Sequence, residues 1–221
     1  MNPIHCSTAW EHKPTRRSWI RHLIMNGIGL LGWIAAWFAL LAVLIGFLSP
    51  GFSFAFVPLL VYSAYRAVIQ AFYLPPALQM RRILRTYPWQ VLPGVPHGLT
   101  KRPDVSGNQY GWFEFPNPGR PEQRLPLVFG RHLRTEWWSR RMASRARPEL
   151  KAQIEVVWFA GDPRFAGLIA ASTPRAEAPR RMHVLRQQMS TDGGHRTFAE
   201  WGATPEDIER GRRVGIRPAH P

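Results

Sequence analysis

The chain has 221 residues, with 29 Lys and Arg against 14 Asp and Glu, a formal net charge of +15. Its one cysteine, Cys6, excludes a disulfide framework, and no CxxC pair or Cys/His spacing marks a zinc site. Charge is unevenly spread: none of Asp, Glu, Lys or Arg occurs from Leu23 through Tyr65, whereas from Arg66 onward the balance is +12. All the cations but Lys13, Lys101 and Lys151 are Arg. GC-rich coding explains that skew, as does selection for guanidinium forks that bind phosphate or carboxylate bidentately.

Residues 1–22 read as a basic tail. Residues 23–48 form an uncharged run of 26, long enough as a helix (roughly 39 Å) to cross a ~30 Å hydrocarbon core. Fourteen of these residues are Leu, Ile, Phe or Val, worth roughly −6 kcal/mol on an insertion scale. A soluble helix of this length would carry charge on one face. The run is also too long for the apolar core of a cleaved signal. It is predicted to be a transmembrane helix.

Residues 49–51 make a short uncharged turn, and residues 52–74 a second span that Pro75 and Pro76 end. Arg66 lies toward the C-terminal end of that span. It reads as an interfacial anchor that snorkels, or as a binding residue facing the helix pair. Lys13, Arg16, Arg17 and Arg21 precede the hairpin, and Arg81, Arg82 and Arg85 follow it. With both flanks positive, both termini are expected on the cytoplasmic side of the cell membrane, in a multi-pass topology.

Gly27-Ile28-Gly29-Leu30-Leu31-Gly32 matches the dinucleotide fingerprint in letters only. That fingerprint needs a strand before it and free amides at a helix start. Small residues in this helix have another use: Gly32, Ala35, Ala39, Ala42 and Gly46 trace a seam along one face. Ser63, Ala67 and Ala71 trace another on the second span. In lipid, small residues let helices approach closely, either within the hairpin or between copies of the chain through the first seam.

Residues 75–88 are expected to leave the membrane as a basic helix suited to an anionic leaflet. Residues 89–189 then carry short aromatic and β-branched runs bounded by Gly, Pro, Asn and Asp. Strands are predicted at Tyr110 to Phe115, Leu125 to Gly130, Ile154 to Ala160, Phe165 to Ala171 and Met182 to Arg186. Gly161-Asp162-Pro163-Arg164 makes a hairpin of the third and fourth. Pro126 marks an edge or a bulge. The fold class expected is α+β: a two-helix transmembrane hairpin followed by a small mostly-β cytoplasmic domain, a barrel or half-open sandwich.

Between Arg131 and Lys151 one basic helix is predicted, with Leu133, Trp137, Trp138 and Met142 on one side and Arg140 and Arg141 among its cations. Its apolar side suits packing on the sheet, and equally a membrane interface. Residues 190–221 read as a polar, loosely ordered tail holding one short helix capped by Thr204, with Pro205, Glu206 and Asp207 in its first turn.

No catalytic or cofactor pattern emerges. The eight histidines lack metal-ligand spacing, and no GxSxG or P-loop occurs. Were chemistry assembled from distant positions, His97 or His183 beside Asp104 or Asp162 would be the pairing to look for.

Tyr87-Pro88-Trp89-Gln90 soon after two spans, with WFAGDPRF over Trp158 to Phe165, resembles uncharacterised two-span integral membrane proteins of high-GC Gram-positive bacteria. The likeness covers most of Arg16 to Arg186. It implies location and topology, and carries no activity or functional residue. The expected role is a non-enzymatic, membrane-anchored interaction module whose partners are the lipid bilayer and a protein, or a second copy through the first helix. The alternatives are a tethered nucleic-acid or polyanion binder, and a small membrane enzyme or transport accessory subunit.

Overall fold

The computed structural model describes residues 6–47, 50–99, 110–130, 134–172, 178–187 and 198–215. The fold is α+β and divides into two compact units, Trp19–Leu78 and the combination of Met1–Ser18 with Gln79–Pro221.

Helix α1 spans Lys13–Phe47, α2 spans Pro50–Phe72 and α3 spans Leu74–Thr86. Helix α1 thus begins ten residues before the uncharged run. Charge does not end a helix, and Pro14 sits in the first turn, where its missing N–H is no loss. The helix is interrupted at Tyr73, with Pro75 and Pro76 in the first turn of α3 rather than closing α2.

Within the helical unit, long side chains bridge α1 and α2. Gln70 Nε2 donates to the Asn26 carbonyl at 3.2 Å and lies over Gly29, where a Cβ would come within 2.7 Å of it. Trp33 meets Tyr62 edge to face at 5.6 Å. The first small-residue seam is elsewhere. Gly32, Ala35, Ala39, Ala42 and Gly46 are all exposed, and a Cβ added at Gly32 or Gly46 would touch nothing within 4 Å. On α2, Ser63 is buried, Ala67 half-buried and Ala71 exposed.

Two helical stretches, Lys13–Gly46 and Phe56–Thr86, are long and apolar enough to cross a membrane. None of the most apolar window of the first is buried, and only 6% of the second. A core helix of a soluble protein would be mostly buried.

The second unit is built on a seven-stranded antiparallel sheet curled into a half-barrel. Its strands are β1 (Gln90–Pro93), β2 (His97–Gly98), β3 (Tyr110–Asn117), β4 (Arg120–Gly130), β5 (Val156–Asp162), β6 (Ala166–Ser172) and β7 (Pro179–Gln187), in the order β1-β5-β6-β7-β4-β3-β2. The curl follows from chain length. Strands β1 and β2 lie at opposite edges, which in a flat sheet would be about 29 Å apart. Yet only residues 94–96 join them, and four Cα steps reach at most about 15 Å. Phe115 of β3 and Phe159 of β5, four places apart in the sheet, stack at 4.0 Å across the interior.

That interior is the core, where alternate residues of the strands (Phe113, Phe115, Leu127, Phe129, Val157, Phe159, Ile169) converge. Close backbone approach makes room for the aromatics: a Cβ at Gly111 would fall 2.3 Å from the Phe129 ring, and at Gly167 2.2 Å from Phe159. Strands β5 and β6 are buried on both faces, as their near-continuous apolar runs require.

All five predicted strands form, and β5 and β6 are the predicted hairpin. Pro126 pairs with Glu114, whose N–H turns away to the Pro96 carbonyl. The ring nitrogen therefore faces away from β3, and the pairing of β4 with β7 is at Leu127 and Val128 only, so no ladder bond is lost.

Three further expectations differ from the structure. The single basic helix is two: α4 (Glu136–Met142) and α5 (Pro148–Ala152), separated at Ala143, whose extended backbone ends the first. Leu133 falls outside the described residues. The basic tail is not a tail, because Ala9, His12 and Thr15 are buried in the sheet-bearing unit and Ala9 and Trp10 donate to the carbonyls of Tyr87 and Leu84. Helix α3 forms over the stretch predicted to be a basic helix, with Met80, Ile83 and Leu84 buried. The last stretch is folded over residues 198–215, as a 3-10 turn (Phe198–Trp201) and α6 (Pro205–Arg213), with Trp201 and Val214 buried.

Candidate functional site

Two buried polar groups lie in the sheet-bearing unit. In the first, Asp162 closes the β5–β6 turn by accepting from the Arg164 backbone N–H at 2.9 Å. Arg164 then folds back: its Nη2 lies 2.6 Å from Asp162 Oδ2 and 2.9 Å from Asp207 Oδ2 on α6, and its Nη1 donates to the Gly202 carbonyl at 2.9 Å. The Arg164 and Asp162 side chains are 5% and 7% exposed, so the charges are held away from water and must satisfy one another.

Burial opposes the charge on Arg164, but the hydrogen bond and charge of Asp162, with those of Asp207, outweigh it. Burial would also raise the Asp207 pKa. Bonds from Thr204 and the Arg164 charge hold it below its ordinary range instead. Nearby, burial, with Asp162 and Asp207, pushes the Tyr87 phenol far above its usual value. This array clamps α6 to the sheet.

The second group pins the N-terminal segment. Thr15 Oγ1 accepts from Trp89 Nε1 at 2.9 Å and lies 2.9 Å from His12 Nδ1. His12 and Trp89 both pack on Trp158, with centroids at 5.8 and 5.6 Å. Burial lowers the His12 pKa from 6.5 and favours the neutral ring. Trp89 and Trp158 come from the YPWQ and WFAGDPRF stretches, and here they are packing residues.

Among the described residues the histidine–aspartate pairing does not assemble at Asp162. His97 Nδ1 lies 2.8 Å from the Val95 carbonyl and its ring packs on Phe113, His183 packs on Phe129, and Asp162 is taken by Arg164. Asp104 lies outside the described residues. No group of His, Cys, Asp and Glu able to hold a metal occurs among the described residues.

The candidate interface residues separate into three places. Arg66 stacks on Trp33 at 5.2 Å and Tyr62 at 6.0 Å, half-buried between the helices rather than projecting freely. Arg81 and Arg85 both flank Trp10, at 5.6 and 5.3 Å, and Arg82 is exposed on α3. The α4 residues divide. Trp138 is 1% exposed, part of the core, and donates its indole N–H to the Arg181 carbonyl at 3.0 Å. Trp137 is half-buried with Arg141 stacked on it at 3.7 Å, and Arg140 is exposed beside Glu136. Packing on the sheet therefore claims the apolar side of α4, and only Trp137 and the arginines remain at the surface.

Sequence reasoning missed Arg180 and Arg181, which the fold brings to α4. The only sequence signal was the consecutive pair of arginines entering a strand. Comparison of the chain with protein-family models, with curated proteins and with solved structures returns no match.

Proposed function

We propose that this chain is a membrane-anchored, non-enzymatic interaction module. Helices α1 and α2 form its bilayer hairpin, and the basic half-barrel domain works on the cytoplasmic side. The supporting observation is the placement of exposed apolar surface: of the 19 exposed large hydrophobic side chains among the described residues, all but Val156 lie between Ile20 and Leu78. Water would oppose such a surface on every side of two helices, whereas lipid is a solvent for it. Self-association through the exposed seam of α1 belongs to the same reading, because that face has no partner helix within the chain among the described residues.

The test is extraction of native membranes with alkaline carbonate, followed by thiol labelling. The full chain is expected to stay in the pellet. In a Cys6→Ser background, Ser49→Cys should react with an impermeant maleimide from outside intact cells, and Ser144→Cys only after lysis. Release into the carbonate supernatant would overturn the anchor, and the opposite labelling would overturn the orientation. The polyanion-binding alternative differs in predicting binding that weakens steeply with salt.

A further inference from the structure

We propose that Arg141 and Arg181, which meet on the indole of Trp137, form with the neighbouring Arg140 and Arg180 a receptor for a phosphate group. This deepens the interaction-module reading by assigning the domain a ligand chemistry.

The site is built by two elements. On α4, Trp138 turns into the core and Trp137 lies on the rim. Arg141, one turn on, lays its guanidinium on the Trp137 ring at 3.7 Å. From the other side, Arg181 of β7 approaches the same ring at 5.9 Å. A bulge aims it: Ile169 pairs with His183 and Ala171 with Arg180, so Arg181 and Met182 together oppose a single residue of β6. Arg181 has φ 55°, in the left-handed region that a residue with a Cβ rarely adopts. The Trp138 indole holds it there through the Arg181 carbonyl.

The arginines are held by neutral acceptors. Arg141 donates Nε and Nη2 to Gln153 Oε1 at 3.0 and 2.8 Å and Nη1 to the Trp137 carbonyl at 2.9 Å. Arg180 Nε donates to the Ser172 carbonyl at 3.0 Å. Among the described residues no carboxylate lies within ion-pair distance of Arg141, Arg180 or Arg181; only Arg140 has one, Glu136. The charges feel each other: burial and then Arg180, Arg181 and Arg140 push the Arg141 pKa down. Like charges held together by neutral groups keep their full attraction for an outside anion. Guanidinium groups arriving from two elements can donate their remaining N–H groups to a tetrahedral phosphate, which offers several oxygens and up to two charges.

The test uses the full chain in neutral detergent micelles at low salt, titrated calorimetrically with inorganic tripolyphosphate. Saturable binding is expected. Arg141→Gln with Arg181→Gln should weaken it at least about 100-fold, the worth of two charge-assisted bonds. Arg120→Gln with Arg124→Gln, removing equal charge from the β3–β4 hairpin, should change it by less than about twofold. Melting curves check the fold, and exposed Arg181→Gln alone decides the case if the double variant melts early. A second arm identifies the source: micelles doped with phosphatidylglycerol compete for the site if the phosphate belongs to a lipid headgroup, and those doped with phosphatidylcholine serve as the control. Failure to compete assigns the site to a soluble phosphate. Absence of tripolyphosphate binding, or equal losses in both double variants, would overturn the proposal. Neither result depends on carbonate resistance, so the anchor and the site can fail separately.

Discussion

Arg164 shows how much one residue decides. Its guanidinium joins the β5–β6 turn to α6 through Asp162, Asp207 and the Gly202 carbonyl. Truncating it leaves the Asp162 carboxylate buried without compensation. Arg164→Ala should therefore cost about 3–5 kcal/mol in thermal unfolding of the detergent-solubilised chain, whereas Arg140→Ala, which breaks an exposed pair, should cost less than about 1 kcal/mol. Acid should act on the same clamp. Asp207 has a lower pKa folded than its ordinary 3.8, so the folded state takes up its proton later than the unfolded state does. Its stabilisation is present above pH 3.8 and is lost as pH falls through the depressed value. Melting temperatures across that range should drop in the native chain, with a smaller drop in Asp207→Asn. At this scale part of the site was legible: the Asp162 turn and the Thr204 cap follow from local chemistry. The Thr204 cap appears as read, with Asp207 N–H donating to Thr204 Oγ1 at 3.2 Å, and the structure adds the return bond from Thr204 N–H to the Asp207 carboxylate. The reach of Arg164 to Asp207, 43 positions on, had no local signal.

At the scale of elements, periodicity and breakers carried the strands. Runs such as YGWFEF and LPLVFG announce themselves by alternation and by the turns around them. Strands β1 and β2 did not, because four and two residues are too short to show a period. Their pairing comes from neighbours: Val91 opposite Trp158, and His97 opposite Phe113. The α1 seam illustrates the converse. Its spacing was evident, but which helix it faces is a matter of rotation about α1, set by the Gln70–Asn26 bond and the Trp33–Tyr62–Arg66 stack. With the seam facing outward, Gly32→Leu together with Ala39→Leu should lower the dimer association constant in bilayers by about fivefold, roughly 1 kcal/mol. Energy transfer between labelled copies would report it. Ile34→Leu, off the seam, serves as the control, and an unchanged constant in the seam variant would remove self-association from the reading.

At the scale of the whole molecule, the sheet-bearing unit is discontinuous in sequence: it takes Met1–Ser18 from before Trp19–Leu78 and Gln79–Pro221 from after it. His12 and Thr15 cap Trp158 and Trp89, and Ile83 and Leu84 are fully buried. A fragment starting at Tyr87 omits all of these. It is expected to lose its cooperative melting transition and to expose apolar surface to dye, while the full chain in detergent keeps one sharp transition; a fragment that melts cooperatively at the same temperature would contradict this. Sequence alone determined what depends on neighbours along the chain: the two apolar helices, the five principal strands and the capped last helix, since hydropathy period, turns and caps act within a few residues. Tertiary structure alone decided the curl of the sheet, the burial of the N-terminal segment, the Arg164 clamp and the meeting of Arg141 with Arg181. Each of these joins residues tens of positions apart, and only the loop lengths and the packing of the closed core bring them within contact.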